Sequence, residues 1–363
     1  MEQYKIGLIP GPVSVPENIR RAWSVNYGSS DLEEEFFTLY RQNQTFIQKL
    51  LHTTNDIVIT SGEAMSILWA ALKCTLKPGE KMLAVSSGLF GEGFADMARA
   101  FGVVAEVCAF PYDDVPDPDV VLSHAKRFRP KVITAVHCET PSGTLTPCLE
   151  ELGSVAREVG ALFVVDFVSS AGGAPLNVDA CGIDIGLLGS QKVLSLTSSL
   201  SISSISSTAW KVIEDVNYQG YEAYLGWREV PESRYMPYSH DWHSMKALNI
   251  SLNAIISEGI AKSWSRHEEC AKLCRQMGQK MGLRLYPVRE EICSTTVSAF
   301  CVPEGWTWPE LDNAFREKGL VVGGNYGELA GKVFRVGHMG AQANPELVKN
   351  AMQIISQVLN TKH

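Results

Sequence analysis

The sequence predicts an α/β fold, with a mostly parallel sheet in a large domain followed by a smaller α+β domain at the C-terminus. Short apolar segments typical of strands alternate with amphipathic segments typical of helices over more than a hundred residues. From about residue 263 the order changes to helix, strand, helix, two strands and a final helix. At 363 residues the chain is also too long for one compact core.

We expect an N-terminal arm over residues 1–15, the large domain over 16–262 and the small domain over 263–363. Prolines and glycine make the arm extended rather than helical. The predicted strands of the large domain are residues 57–60, 81–85, 103–107, 132–136, 162–165 and 185–189. In the small domain they are residues 296–302, 320–322 and 332–337. The clearest predicted helices are residues 64–72, 147–159 and 309–318, with another that ends near Gly259.

Two residues at predicted strand ends suggest the chemistry. Lys192 follows the apolar segment 185–189, and Asp166 follows the segment 162–165. A lysine amine can condense with an aldehyde, and a buried aspartate can keep a pyridine nitrogen protonated. Pyridoxal phosphate (PLP) chemistry needs both groups. Alone, Lys192 would be read as a surface lysine and Asp166 as a cap, but the pair in this order favours a shared pocket.

Three other strand ends fit the same pocket. Residues 61–65 lie where a strand gives way to a helix, so their free N–H groups could hold a phosphate. Phe90 could stack on a planar cofactor, although a core aromatic explains it equally well. Thr140 offers a hydroxyl donor, or is simply a turn residue.

Arg335 is an arginine inside an apolar strand-like segment of the small domain. A buried guanidinium needs a partner, and the carboxylate of an amino acid would satisfy it with two parallel hydrogen bonds. A structural salt bridge explains the residue equally well on local sequence.

Composition excludes several classes of function. The net charge of −8 argues against nucleic-acid or acidic-membrane partners, and no apolar run approaches a bilayer span. Nine cysteines without paired spacing predict reduced thiols and a cytoplasmic enzyme. His267, Cys270 and Cys274 share a helical stretch, but cysteines on a core-facing stripe explain them, so no metal site is expected.

Five segments resemble, in order and spacing, the class V aminotransferases of the alanine–glyoxylate and serine–pyruvate branch. The segments are residues 10–12, 139–143, 165–170, 189–192 and 334–340. The resemblance implies the type I PLP-transferase fold, PLP as cofactor and an obligate homodimer. It also implies transfer of an amino group from alanine or serine to glyoxylate or pyruvate.

The same resemblance implies a role for each matching residue. Lys192 would bind the cofactor aldehyde, Asp166 the pyridine nitrogen, and Arg335 the substrate carboxylate. The other implied cofactor contacts are Glu63, Ala64, Met65, Phe90, Thr140, Val168, Gln191 and, towards the partner subunit, Tyr238 and Ser239. The other implied substrate contacts are Gly11 and Tyr326.

Glu63 departs from the usual phosphate loop, because it adds a carboxylate beside the expected phosphate. A similar Gly-Glu pair occurs in pyridoxamine–pyruvate aminotransferase, which uses the unphosphorylated vitamin as a substrate. Repulsion between two negative groups predicts that Glu63 points away from the phosphate. The amides of Ala64 and Met65 would then hold the anion together with Gln191 and Ser239.

The serine-rich segment 194–202 is a second departure, since relatives often have a Pro-Pro-Gly turn there. Alternation of Leu200 and Ile202 with serines predicts a strand after the lysine. A third departure is Tyr326, which stands where pyridoxamine–pyruvate aminotransferase has a second arginine. A PLP-dependent lyase, epimerase or desulfurase of the same fold remains an alternative, and Cys138 is the one cysteine in an evident loop motif.

Overall fold

The computed structural model describes residues 4–361. The strands are β1 (Ile6–Leu8), β2 (Asp56–Ser61), β3 (Lys81–Ser86), β4 (Val104–Ala109), β5 (Val132–Val136), β6 (Cys138–Glu139), β7 (Thr144–Leu145), β8 (Leu162–Asp166), β9 (Ile185–Gly189), β10 (Leu200–Ile205), β11 (Val297–Cys301), β12 (Leu320–Val322) and β13 (Val333–Gly337). The helices are α1 (Glu17–Arg20), α2 (Glu34–Leu51), α3 (Met65–Thr75), α4 (Leu89–Ala100), α5 (Pro118–Phe128), α6 (Leu149–Val159), α7 (Ser207–Val216), α8 (Val230–Ser233), α9 (Trp242–Glu258), α10 (Ile260–Lys280), α11 (Trp308–Glu317) and α12 (Pro345–Leu359).

A seven-stranded sheet forms the centre, in the order β2-β10-β9-β8-β5-β3-β4. Every pairing is parallel except those of β10, which runs antiparallel to both β2 and β9. The central strands β5, β8 and β9 are buried along their whole length. Their sequences are continuously apolar because both faces of the sheet are covered. The predicted α/β architecture with a mostly parallel sheet is therefore confirmed.

The carboxyl ends of the parallel strands bring the chemical groups to one edge of the sheet. Asp166 is the last residue of β8, and Lys192 lies shortly after β9. Glu63 lies between β2 and α3, and Phe90 lies in the first turn of α4, after β3. Thr140 lies in the turn between the short strands β6 and β7.

A second apolar cluster contains residues of α10, α11 and α12 together with β11, β12 and β13. Strands β11 and β13 pair antiparallel, whereas β1 of the N-terminal arm pairs parallel with β12. The described part of the arm is thus extended, as predicted. Its strand β1 forms a two-stranded sheet with β12, which lies much later in the chain. Helix α10 begins directly after Gly259 and runs through the expected domain boundary at residue 262.

The predicted strands all exist within two residues of their expected ends, including β10 after the lysine. Helices α5 and α7 were not predicted. Helix α9 begins earlier than its apolar pattern suggested, because the Asp241 side chain accepts a hydrogen bond from the Ser244 amide at 3.0 Å and caps it. Within residues 4–361, none of the helices combines the length and apolarity needed to cross a membrane.

Candidate active site

Lys192 places its amine in the pocket at the sheet edge. Its Nζ donates a hydrogen bond of 2.7 Å to the carbonyl oxygen of Pro10. Burial of the amine, together with the nearby Arg335 guanidinium, lowers the pKa of Lys192 to about 8, against the opposing effects of Cys138, Asp166 and Glu63. At neutral pH an appreciable fraction is therefore the free amine, which is the nucleophilic form.

Asp166 ends β8 with a buried carboxylate that is 6 % exposed. Burial raises the pKa of Asp166 to about 6, although the Val168 amide, which donates a 2.7 Å hydrogen bond to Oδ1, and the charge of Lys192 both favour the ionised form. A carboxylate in this setting can accept a proton or hold one on a neighbouring ring nitrogen. Lys192 and Asp166 are thus brought to one pocket, as the sequence indicated.

Glu63 forms hydrogen bonds with two groups of the expected phosphate site, so its orientation away from a bound phosphate stays a prediction. Its Oε2 accepts a hydrogen bond of 2.8 Å from the Met65 amide, and its Oε1 accepts one of 2.7 Å from Gln191 Nε2. Met65 and Gln191 are two of the donors that were expected to hold a phosphate. These two donors hold the carboxylate of this exposed residue, and charge repulsion alone does not take them into account.

Gln191 and Gly189 shape the floor of this site. The Oε1 of Gln191 is buried without a hydrogen-bond partner among the described residues. A Cβ at Gly189 would lie 2.7 Å from both that atom and the Cβ of Ala64, so only glycine fits. The site thus offers the unpaired acceptor of Gln191, the Asp166 carboxylate for a pyridine nitrogen and the Lys192 amine for an aldehyde. Together these groups fit a form of vitamin B6.

Glu139 is a site residue that sequence reasoning missed as a chemical group. It is 1 % exposed and accepts hydrogen bonds from the amides of Phe90 (3.2 Å) and Gly91 (2.8 Å), in the first turn of α4. Burial raises the pKa of Glu139 to about 8, against these two hydrogen bonds, and Asp166 adds to the rise. Its position just after an apolar strand is the same signal that pointed to Asp166.

Val168 and Phe90 donate backbone hydrogen bonds to Asp166 and Glu139, Thr140 follows Glu139 in the chain, and the cofactor contacts of all three stay predictions. The hydroxyl of Thr140 shares a short hydrogen bond with the hydroxyl of Ser169, and both residues are buried. Phe90 is partly buried and packs on the large apolar cluster, so its ring is anchored from beneath. An aromatic ring and buried hydroxyls in this part of the chain would suit a planar ring.

Arg335 is 6 % exposed in β13, and no carboxylate within residues 4–361 forms an ion pair with it. Its Nε and Nη2 donate to the carbonyl of Gly324 at 2.8 and 2.6 Å. The ring of Tyr326 lies 5.1 Å from the guanidinium carbon. These contacts do not support the salt-bridge explanation, because the guanidinium has a carbonyl and an aromatic ring as neighbours and no carboxylate within residues 4–361.

The loop that carries Tyr326 is fixed across the pocket. Asn325 Nδ2 donates a 2.7 Å hydrogen bond to the carbonyl of Pro141. A Cβ at Gly327 would lie 2.8 Å from a methyl group of Leu89, so this glycine permits a close approach to α4. The loop therefore closes the pocket on the Arg335 side.

Tyr238 and Ser239 lie on the surface and form no hydrogen bond with Glu63, Gln191 or Lys192 of the same chain in the described structure. The Tyr238 ring stacks on Tyr221 with centroids 4.5 Å apart. Ser239 Oγ donates a 2.9 Å hydrogen bond to Asp31. Their expected role towards a partner subunit stays a prediction.

The serine-rich turn after Lys192 is organised by Ser190. The buried hydroxyl of Ser190 donates to the Thr197 carbonyl at 2.6 Å and accepts from the Leu200 amide at 3.0 Å and the Ser199 amide at 3.3 Å. Ser195, at φ +58°, accepts a 2.8 Å hydrogen bond from the Ala341 amide. Hydrogen bonds thus hold this turn in place.

Cys138 does not have the properties of a mobile nucleophile. It is buried in β6, its thiol contacts Ser294 Oγ at 3.2 Å, and burial raises its pKa to about 11. A protonated thiol held in a strand does not support the desulfurase alternative. His267 uses both ring nitrogens, with the Ser263 carbonyl and the Gly340 amide, and no cluster of metal-ligating side chains exists in the described part of the chain.

The class-V aminotransferase family matches residues 17–333. The chain is 32 % identical over 351 residues to an uncharacterized aminotransferase of Methanocaldococcus jannaschii, covering 95 % of this chain and 90 % of that protein. It is 29 % identical over 363 residues to the pyridoxamine–pyruvate transaminase of Mesorhizobium japonicum, covering 98 % and 91 %.

The crystal structure of an alanine–glyoxylate aminotransferase from Nostoc sp. superposes with a TM-score of 0.93 at 28 % identity, covering 98 % of this chain and 95 % of that one. This likeness confirms the type I fold, and the family implies PLP as the cofactor. The chain belongs to the class V aminotransferases and is an enzyme that transfers amino groups.

Proposed function

We propose that this aminotransferase moves an amino group from a small amino acid, alanine or serine, to a small 2-oxo acid, glyoxylate or pyruvate, with PLP as the carrier. The observation that carries the proposal is the environment of Arg335. A buried guanidinium without a carboxylate partner shares the pocket with the Lys192 amine. One substrate carboxylate would satisfy the guanidinium with two hydrogen bonds, close to the amine that moves the proton.

The residues that would hold PLP are those at the sheet edge. Asp166 would face the pyridine nitrogen, Thr140 the ring hydroxyl, and Lys192 the aldehyde, with Phe90 against the ring. Bound PLP supplies an electron-withdrawing ring that stabilises negative charge at the substrate Cα.

The protein's own groups then supply orientation and proton transfer. Arg335 fixes the substrate carboxylate, which sets the direction of the bond from Cα to its hydrogen. Lys192, once its amine is free, takes the proton from Cα as a general base and returns it as a general acid. Because the pKa of Lys192 is lowered to about 8, the same amine can act as the base and as the acid near neutral pH.

A borohydride experiment tests this function. Reduction of the protein loaded with PLP, followed by peptide mapping, should tag Lys192, and Lys192→Ala should abolish turnover in a folded protein. Lys211→Ala, which changes an exposed lysine of α7, serves as the control. Alanine and serine should convert the bound cofactor to its pyridoxamine form. A tag on another lysine, or no new 2-oxo acid from any small amino acid, would overturn the proposal.

A second candidate function rests on Glu63. Its carboxylate already accepts hydrogen bonds from the Met65 amide and from Gln191. At the first turn of α4, backbone amides bind a second carboxylate, that of Glu139. At the N-termini of two helices, the amides that could bind a phosphate are therefore hydrogen-bonded to carboxylates of the protein. This arrangement favours an unphosphorylated vitamin as a substrate, so that pyridoxamine and pyruvate would give pyridoxal and alanine.

Binding of the two vitamers separates the candidates. Cofactor-free protein is incubated with PLP or with pyridoxal, and affinity and the turnover of free pyridoxamine with pyruvate are measured. Tighter binding of PLP without turnover of pyridoxamine supports the first candidate. Tighter binding of pyridoxal with steady formation of pyridoxal from pyridoxamine supports the second.

Assembly and compartment complete the proposal. A homodimer is supported by exposed side chains around the expected phosphate loop, since Met65 is 38 % and Tyr238 42 % exposed in the single chain. A cytoplasmic location is supported by nine cysteines without a disulfide. The division into a large domain over residues 16–262 and a small domain over residues 263–363 is supported by the two separate apolar clusters.

A further inference from the structure

The N-terminal arm holds the amine of the catalytic lysine. Lys192 Nζ donates to the Pro10 carbonyl at 2.7 Å, and the lysine side chain runs past Gly11, where an added Cβ would lie 2.6 Å from Nζ. The arm also meets the lysine loop through the Val13 amide, which donates to the Gln191 carbonyl at 3.0 Å. In the described structure the Pro10 carbonyl is the hydrogen-bond partner of this amine, and no carboxylate forms an ion pair with it.

The Pro10 carbonyl is fixed rather than part of a loose end. Gln342 is 2 % exposed, and its Nε2 donates to the carbonyls of Ile9 at 2.8 Å and Gly337 at 2.6 Å. Its Oε1 accepts from the Ser14 amide at 3.1 Å. One side chain therefore ties the residues on both sides of Pro10 to the end of β13, the strand that carries the substrate arginine.

A carbonyl suits an amine that must change its charge. The charged or titratable groups that act on Lys192 are Arg335, Asp166, Glu63 and Cys138. A carboxylate partner would favour the ammonium form strongly, whereas a neutral carbonyl accepts from either form and favours the ammonium only weakly. The amine is thus held in place without losing its nucleophilic form.

We propose that the backbone carbonyl of Pro10, with Gly11 leaving the space for the side chain, is the positioning group for the free amine of Lys192. It holds the amine in place in the cofactor-free protein, before the lysine reacts with an aldehyde. The proposal rests on the proposed function of Lys192. It adds a role for the arm that concerns the lysine rather than the identity of the substrate.

The test measures the ionisation of Lys192 in the full-length, cofactor-free protein. Acetic anhydride labels neutral amines, and the labelling of the Lys192 peptide is followed by mass spectrometry between pH 6 and 11. Gly11→Ala pushes the side chain off the Pro10 carbonyl. Gln342→Leu loosens the arm without adding an atom beside the lysine, and serves if the positive φ of Gly11 (+93°) makes the first variant unstable. Gly7→Ala, in the same arm, is the matched control.

Wild-type protein and Gly7→Ala should be labelled with a midpoint near pH 8. In Gly11→Ala and Gln342→Leu the midpoint should fall by at least half a pH unit, because the buried ammonium loses its acceptor. An unchanged midpoint in both variants would overturn the proposal. A rise towards 10.5 would overturn it too, since the amine would then have moved into water. The readout involves neither cofactor nor substrate, so failure of the proposed function, seen as a borohydride tag elsewhere, is a separate outcome.

Discussion

The carboxylate of Glu63 accepts a hydrogen bond of 2.7 Å from the side-chain amide of Gln191, 128 residues later in the chain. This contact joins the loop after β2 to the loop after β9, across the intervening strand β10. It places a negative charge where an aminotransferase of this fold is expected to receive the phosphate of its cofactor. Substitution of Glu63 is therefore a direct test of which vitamer the site prefers.

Glu63→Gln should shift binding from pyridoxal towards PLP. The amide keeps the size of the side chain but removes a charge that repels a phosphate, so the ratio of the two affinities should change at least about tenfold, or about 1.4 kcal/mol. Titration of cofactor-free protein with each vitamer, followed by absorbance, measures the ratio. Glu317→Gln, on the surface of α11, is the control and should leave it unchanged. An unchanged ratio in Glu63→Gln would mean that the carboxylate swings aside when phosphate binds.

Asp166→Asn should stabilise the cofactor-free protein at pH 8 and abolish turnover. The folded pKa of Asp166, about 6, lies above its ordinary value of 3.8, so the folded state binds more protons and stability falls as pH rises through this window. Above pH 6 the buried charge costs about 3 kcal/mol, which the amide removes. The melting temperature at pH 8 should rise by a few degrees, and the difference should shrink as pH falls below 6. A variant that melts lower at pH 8 would contradict this reasoning.

Arg335→Lys should raise KM for the amino acid by at least about tenfold, with little change in affinity for the cofactor, because lysine cannot offer two parallel donors. Steady-state kinetics and cofactor titration measure the two effects. Arg275→Lys is the matched control, since Arg275 is equally buried but pairs with Glu290 at 3.1 Å. That variant should lose stability and keep its KM. Loss of folding in Arg335→Lys, with normal KM in the soluble fraction, would indicate a structural role.

Ser190→Ala should destabilise the protein by about 1–3 kcal/mol, because its buried hydroxyl serves one carbonyl and two amides of the turn after Lys192. Urea denaturation with two probes measures the loss. Ser199→Ala removes a partly exposed hydroxyl from the same turn and should change stability by less than about 0.5 kcal/mol. Equal effects of the two substitutions would show that the Ser190 hydroxyl does not organise the turn.

The sequence was sufficient to predict the strands of the central sheet and to propose Lys192 and Asp166 as groups of one site. Periodicity reports burial, and the central strands are continuously apolar because both their faces are covered. Lys192 and Asp166 could be recognised since a charged side chain that directly follows such a strand is unlike a surface residue. The same reasoning would have identified Glu139 as a third buried titratable group. In the sequence, this residue was considered only as part of the segment 139–143.

The direction of β10 and the orientation of Glu63 could not be predicted in this way. Alternation of Leu200 and Ile202 with serines indicates a strand, but not which neighbours it joins or in which direction. The orientation of Glu63 depends on donors from Met65 and from Gln191, and the second of these lies far away in the chain. Both features depend on residues that are close in space but distant in the chain, and the pattern of a single sequence does not show which residues these are.

The reversal of β10 also has a consequence for the order of folding. Because β10 returns directly beside β9, the lysine turn closes a local hairpin, whereas the parallel pairs need long crossovers. Local contacts cost little chain entropy, so the lysine turn can form before the distant β2 joins β10. The hairpin can thus exchange its turn sequence, serines in place of prolines, without any change of strand register elsewhere. Evolution could vary the mobility of the lysine at this turn while the scaffold stayed the same.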